Sequence, residues 1–513
     1  MLSSPNLTSA HIDEDAAHLA SLGIQDQHFK REMSLWANFA LGFTYLSPVV
    51  GIYTLFNYAI GTAGPAMWWS LLAVGIGQLL VAMTQSEVVS QFPVAGGIYP
   101  WARRLWGLKY AWLTGWMYMW ALVGTIAAVV YGSGPYICAI FGFSPSAGNV
   151  VISALILLGI ATFINFMGTK WLSRAAVFGF AAELIGCIAV GGWLLATHRM
   201  HGFGAVFHSY GAGAGHSYIS AWIAGSLIAM WMYYGFEACG DVAEEVPNPG
   251  KVIPKAQRRT IYVGGAAGMF IALALTLSVP NYAAAISGKD ANPVESVLTN
   301  AFGALGMKVV LAVVLISYLS CTISLEAAAS RLMFSYARDK MMIGSKLLVR
   351  FWEARHIPPY ALALATIAPA IIVLISLISA DAVVKLISFA AAGIYVGFQM
   401  VVAAAIRAKL RGWKPSGPWT MGRWGLLVNI VALTYGLAAI CNMTWPRGSD
   451  WLSRWVTALG LLVVAGIGLV YMGLAKPYAH GDQPWDDARK NIDYSKLRKP
   501  ESAAPIAVPV EAD

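Results

Sequence analysis

The chain has 513 residues, 58% of them hydrophobic and 12% charged, with a formal net charge of +9. A water-soluble domain carries roughly twice that share of charge to keep its surface wet, so the composition excludes one. The positive balance does not indicate nucleic acid: the Lys and Arg residues lie in short loops between apolar runs and form no continuous basic face.

Residues 1–32 are expected to form a cytoplasmic N-terminal segment; Met1 to Gln27 is polar and acidic and does not read as a signal peptide, so the first apolar run is expected to act as the insertion signal. Twelve apolar runs follow, at 34–60, 66–90, 108–132, 149–168, 172–197, 218–240, 260–280, 307–336, 359–379, 382–406, 424–444 and 452–474. A crossing needs about 20 apolar residues, and these runs supply it while being too long for barrel strands. Helices are expected, because lipid offers the backbone no hydrogen-bond partners. The fold class read from this is an all-α membrane protein of about twelve transmembrane helices, with one domain over 33–475. The polar, Pro-containing segment 476–513 reads as a disordered cytoplasmic tail.

With the N-terminus placed inside, 27 of the 34 Lys and Arg residues fall on the side of the termini and six on the other, Arg331 lying within a run. This bias predicts that both termini are cytoplasmic and that the protein spans the inner membrane an even number of times. The 20 Trp and 22 Tyr fit aromatic belts at the two interfaces. Cys138, Cys187, Cys239, Cys321 and Cys441 lie in or beside apolar runs without metal or disulfide spacing. His198, His201, His208 and His216, before the sixth run, also match no metal motif and read as part of a Gly-rich external loop.

Two runs contain helix breakers at mid-membrane depth. The first holds Ser47-Pro48-Val49-Val50-Gly51, where Pro48 removes a backbone donor and Gly51 tolerates unusual dihedrals. The sixth holds Trp231-Met232-Tyr233-Tyr234-Gly235-Phe236-Glu237. Interrupted segments at corresponding places in two halves point to a carrier's binding site, since half-helix ends offer partial charges to a polar solute. Taken alone, either break is also what an ordinary packed kink produces. Glu183, Glu237 and Glu326 lie mid-run, where an ionisable group is costly unless paired or hydrated; each is a candidate for substrate or proton coupling. Glu326 and Arg331 are five residues apart, a poor spacing for a direct helical pair. Trp231, Tyr233, Tyr234, Tyr53 and Trp120 are candidates for cation–π contact with an ammonium group, or for plain helix packing.

Three stretches resemble the amino acid–polyamine–organocation (APC) superfamily. Glu87, Pro93, Ala95-Gly96-Gly97 and Tyr99 follow its E-x(5)-P-x-A-G-G-x-Y element. Gly235-Phe236-Glu237 with Glu244-Glu245, Asn248-Pro249 and Ile253-Pro254 resembles its second signature. Ser330-Arg331, Ala337-Arg338-Asp339 and Pro358-Pro359 are similar to its third. The wording is closest to the amino acid/choline branch. The resemblance implies a five-plus-five inverted repeat (33–198 and 217–407) with discontinuous helices 1 and 6, two peripheral helices (423–475), and alternating access around a site between helices 1, 3, 6, 8 and 10. Together with the helix breaks, the buried carboxylates and the aromatic residues, it gives expected substrate contacts at Ser47, Val50, Gly51, Ile52, Tyr53, Thr125, Trp231, Tyr233, Tyr234, Gly235 and Glu326, and expected coupling or gating at Glu183, Glu237 and Trp231. Valines at 49 and 50 replace the Gly and Ser with which relatives hold a substrate carboxylate, so amines with a remote carboxylate or none gain ground.

The expected function is proton-coupled symport or exchange of a small amine or amino acid. No organic cofactor is expected; the expected coupling ion is H+, and Na+ stays open because Thr322 and Ser324 could supply oxygens. The absence of G-x(4)-G-K-[ST] argues against ATP drive, and that of HExxH and GxSxG against an enzyme. A ligand sensor without turnover is the alternative from another class. The expected partners are the small-molecule substrate and the lipid bilayer, with no nucleic acid; self-association is left open.

Overall fold

The computed structural model describes residues 18–20, 22, 29–215, 217–378, 382–448, 450–481 and 484–490. Among them no strand forms, apart from one isolated bridge between Trp352 and Ile357. Ten helical segments among the described residues are long and apolar enough to cross a membrane, and two shorter apolar segments, Tyr218–Met232 and Pro359–Ile375, bring the apolar segments to the twelve expected. Spans 2, 3, 4 and 5 are Trp68–Gln91, Leu108–Phe141, Ala147–Phe166 and Thr169–Thr197. Spans 7, 8 and 9 are Pro249–Ser278, the later part of Pro293–Arg338, and Pro359–Ile375. Spans 10, 11 and 12 are Ala382–Leu410, Gly425–Thr444 and Trp451–Ala475. Proline opens several of them, at Pro48, Pro249, Pro293 and Pro359, where its missing N–H costs nothing. Ser34, Ser146 and Asp450 cap others through their side chains.

Span 1 is two helices, Leu35–Leu46 and Pro48–Ala63, meeting at Ser47 in the left-handed region (φ 42°). Pro48 has no N–H to return to the Thr44 carbonyl, so the ladder is cut there. Span 6 is Tyr218–Gly225, Leu227–Met232 and, after a non-helical stretch, Ala238–Asp241. Both breaks therefore fall where the sequence placed them.

The packing pairs follow the exchange of spans 1–5 with spans 6–10. Span 3 lies along span 10 as span 8 lies along span 5, and span 4 touches spans 3 and 8 as span 9 touches spans 8 and 3. Span 1 packs on spans 7 and 5 as span 6 packs on spans 2 and 10. With five crossings in each half, the second half runs through the membrane in the opposite sense. Spans 11 and 12 attach outside this body, on spans 2, 3 and 10.

Two local features differ from the sequence reading. The helix before span 8 begins at Pro293, and Gly303 (φ 67°) bends it away from the crossing that was expected to start at 307. Residues 484–490 pack with Leu22 against the short helix Ile98–Leu105: Arg104 donates to Asp487 at 2.5 Å and to the Leu22 carbonyl, and Arg407 reaches Asp486 at 3.5 Å. The remainder of the expected tail, 491–513, and His216 lie outside the described residues.

Candidate functional site

The two breaks meet at the centre of the bundle. Gly235 has φ 113°, and a Cβ there would lie 2.4 Å from the Leu46 nitrogen. Only glycine lets the span 6 break sit against the span 1 break in this way. Four residues along span 1, a Cβ on Gly51 would lie 2.7 Å from Met232, so the last turn of Leu227–Met232 rests on the first turn of Pro48–Ala63.

A helix N-terminus in the membrane leaves amides that need acceptors. Here span 5 supplies one: Glu183 Oε1 accepts the Ser47 hydroxyl at 2.7 Å and the Val49 amide at 2.9 Å. The Val50 amide donates to Ser47 Oγ at 3.2 Å, and the Gly51 amide to the Ser47 carbonyl at 2.9 Å. With Pro48 lacking an N–H, the whole first turn is satisfied from within the protein. Glu183 Oε2 is buried with no hydrogen-bond partner among the described residues.

In span 6, Glu237 folds back on its own break. Its Oε2 accepts the Gly235 amide at 2.7 Å and its Oε1 accepts the Tyr118 hydroxyl of span 3 at 3.1 Å. Asp241, one turn on, is also fully buried. None of Glu183, Glu237 and Asp241 is in an ion pair among the described residues, so three carboxylates surround the breaks without a protein cation. The carbonyls of Met230, Trp231 and Met232, at the end of the first half of span 6, receive no backbone N–H among the described residues. Aromatic rings close the space: Trp231 meets Tyr234 edge-on at 5.5 Å, and Tyr234 meets Tyr45 at 6.1 Å. Thr125 of span 3 donates to its own Ala121 carbonyl at 2.8 Å and lies beside the Tyr234 hydroxyl. Trp231, Tyr234, Tyr45 and Gly51 are all buried.

The fold thus gathers Ser47, Val50, Gly51, Glu183, Thr125, Trp231, Tyr234, Gly235 and Glu237. It turns other expected residues elsewhere. Glu326 faces spans 4 and 9, where Oε1 accepts the hydroxyls of Thr162 (2.6 Å) and Thr366 (3.1 Å) and Oε2 accepts the Asn165 amide (2.9 Å). Tyr233 sets its ring against Gly75 of span 2 and Gly265 of span 7. Tyr53 packs on Tyr136, whose hydroxyl donates to the Tyr53 carbonyl, and Ile52 is fully buried. Trp120 meets Trp116 on the span 12 side. Thr322 donates to its own Tyr318 carbonyl, and Ser324 pairs with Thr44 at 2.8 Å. Arg331 pairs with Glu245, not with Glu326. Tyr45, Tyr118 and Asp241 were not singled out in the sequence; a tyrosine in an apolar run looks like any interfacial ring.

Below the breaks, the three motif stretches fold into one closure. The Ala95 amide donates to Glu244 at 3.1 Å and the Gly96 amide to the Asp241 carbonyl at 3.0 Å. Gly96 and Gly97 both have positive φ, and side chains there would strike Ser335 and Asp241. Arg331 binds Glu245 at 2.8 Å and Arg338 binds Glu244 through both terminal nitrogens, at 3.0 and 3.1 Å. Asp339 takes Arg103 and, at 2.7 Å, the Tyr99 hydroxyl. Burial pushes the Tyr99 phenol up to about 12 and the Arg103 guanidinium down to about 10, desolvation being the main cause in both.

The sequence profile described as "Amino acid permease" matches residues 33–470. The chain belongs to the amino acid permease family. Among similar proteins, an amino-acid permease BAT1 homolog from Oryza sativa subsp. japonica is 27% identical over 484 residues, covering 87% of this chain and 92% of that one. The amino-acid permease BAT1 of Arabidopsis thaliana is 25% identical over 456 residues (83% and 87%). A putative polyamine transporter from Candida albicans is 26% identical over 477 residues (88% and 85%). The APC resemblance read from the motif stretches therefore holds over nearly the whole permease, and the motif residues are those that build its closure.

Proposed function

We propose that this permease is a secondary carrier that moves a small amine or amino acid across the inner membrane by alternating access, through proton symport or exchange, with both termini cytoplasmic. The Lys and Arg bias assigns the side bearing the motif closure to the cytoplasm. Within that function, the reading favours substrates that present an ammonium group and lack an α-carboxylate. One observation carries it: the first turn of the second half of span 1, the natural seat for a carboxylate, is already filled by Glu183, Ser47 Oγ and the Ser47 carbonyl. Around it stand three carboxylates without a protein cation, carbonyls at a half-helix end, and the faces of Trp231 and Tyr234, an environment that suits a cation. A proton taken up by Glu183 or Glu237 is the proposed coupling event.

A second reading, an α-amino acid carrier, is favoured by the opposite face. There a vestibule of about 410 Å³ between Tyr58, Leu227 and Ser388 carries Lys385, Arg447 and Arg454, charges that attract a carboxylate. A thermal-shift screen of the purified protein against amines and amino acids separates the two, since a specific ligand raises apparent stability by mass action. Stabilisation by α-amino acids and not by amines overturns the first reading.

A further inference from the structure

Glu237 and Asp241 lie one helical turn apart at the inner end of span 6, and the Asp241 amide donates to the Glu237 carbonyl at 3.2 Å. Both side chains are fully buried, yet their surroundings differ. Glu237 receives two donors, the Gly235 amide and the Tyr118 hydroxyl. Asp241 receives none: both of its carboxyl oxygens are buried without a hydrogen-bond partner among the described residues. A carboxylate so placed loses its hydration with nothing to replace it, whereas a neutral carboxyl loses far less. A proton available to the pair therefore rests on Asp241, and the charge rests on Glu237, where the donors are.

The neighbouring groups do not reverse this. Ala238–Asp241 packs on spans 1, 7 and 8. Tyr45 of span 1, Tyr118 of span 3 and Cys239 of the same segment come within electrostatic reach of both carboxyls. Span 7 turns Gln257 towards Gly240 and sets Arg258 and Arg259 on Trp419 and Trp36. The arginines of span 8 and of Ile98–Leu105 are committed: Arg331 to Glu245, Arg338 to Glu244, Arg103 to Asp339 and Arg104 to Asp487.

What covers Asp241 is the motif closure itself. Its carbonyl accepts the Gly96 amide at 3.0 Å, and a Cβ on Gly97 would lie 2.5 Å from its Oδ1. The Trp101 ring lies alongside, since a Cβ on Gly240 would come within 2.6 Å of it. Trp101 is held there by its own bond to the Phe92 carbonyl, at 3.1 Å. Glu237 thus binds the break of span 6, while Asp241 meets the loop that must move for this side to open.

We infer that Asp241 is the proton exit of the carrier: it holds a proton while the closure is shut and yields it to cytoplasmic water when Gly96, Gly97 and Trp101 draw away. The inference rests on the proton-coupled carrier proposed above. In the inward step the O–H bond of a protonated Glu237 breaks and one to Asp241 forms, which leaves Glu237 ionised with its two donors. On opening, the Asp241 O–H bond breaks in turn and the proton passes to water, leaving a carboxylate that the opened side hydrates.

Infrared difference spectroscopy of the reconstituted full chain at neutral pH tests this without a substrate. The unaltered chain minus Asp241→Asn should show the C=O stretch of a carboxylic acid, and the unaltered chain minus Glu237→Gln should show carboxylate stretches. Asp241→Glu keeps a carboxyl and should move the acid band, which makes the same assignment if the asparagine variant does not fold. Trp101→Ala uncovers the carboxyl and should lose the band, with Trp101→Leu between the two. Carboxylate stretches in the Asp241 difference overturn the proposal, and so does an acid band that both Trp101 variants leave in place. Failure of the carrier reading shows separately, as absence of labelled flux in a chain whose acid band is intact.

Discussion

Glu183 accepts both the Ser47 hydroxyl and the Val49 amide, at 2.7 and 2.9 Å, so a carboxylate from span 5 caps the half-helix that begins at the break of span 1. A protein that needed this helix end for a substrate carboxylate would have to displace its own. The relationship ties the geometry of the break to the class of solute it can receive.

Removal of that cap is the first test. Glu183→Ala frees two donors at a helix N-terminus, so binding of zwitterionic or anionic ligands should rise relative to amines. A hydrogen bond to a charged group contributes about 1.5–3 kcal/mol, equivalent to a shift of roughly tenfold or more in the ratio of dissociation constants. Glu183→Gln keeps an acceptor but loses the charge, and should flatten the pH dependence of uptake while leaving the ratio closer to that of the unaltered chain. Ligand titrations and uptake at several pH values read both.

Gly235→Ala should destabilise the protein by on the order of 3 kcal/mol, since the position is left-handed and its Cβ would strike the Leu46 backbone. Gly159→Ala, in span 4 with nothing near its Cβ, should be neutral or slightly stabilising. Thermal unfolding in detergent compares them, and equal midpoints would contradict the close approach of the two breaks.

Arg331→Met or Glu245→Gln alone leaves a buried unpaired charge, which costs about 3–5 kcal/mol; the double substitution should cost less than the sum. Either single change should also loosen the closure. In a Cys441→Ser background, where the other four cysteines are buried, Ser335→Cys should then label faster with an impermeant thiol reagent.

Glu326→Gln should leave ligand affinity unchanged and lower the unfolding midpoint, because its partners Thr162, Asn165 and Thr366 belong to a helix contact remote from the breaks. Weakened binding of a cationic ligand would return Glu326 to the site.

This contrast marks where the sequence stops being readable. The spans were legible because lipid forces each crossing to be long, apolar and helical, and the breaks because Pro48 and Gly235 have few other reasons to sit there. Which face of a helix a residue occupies was not. Glu237 and Glu326 look alike as carboxylates in apolar runs, and only the neighbours of spans 6 and 8 separate them. Tyr233 and Tyr234 are adjacent, yet one fills a gap beside Gly75 and Gly265 while the other faces Trp231. The motif stretches had the opposite character: their spacing was visible, but their purpose appeared only when Glu244, Glu245, Arg331, Arg338 and Asp339 proved to bind one another.

Flux measured in proteoliposomes reaches the centre of this account. The purified permease, preloaded with a ligand from the thermal-shift screen, should exchange it for the labelled form, or accumulate it when the interior is made alkaline, and Glu237→Gln should abolish accumulation. Saturable binding without any movement of label across the bilayer, under both conditions, would contradict it and leave a membrane receptor in place of a carrier.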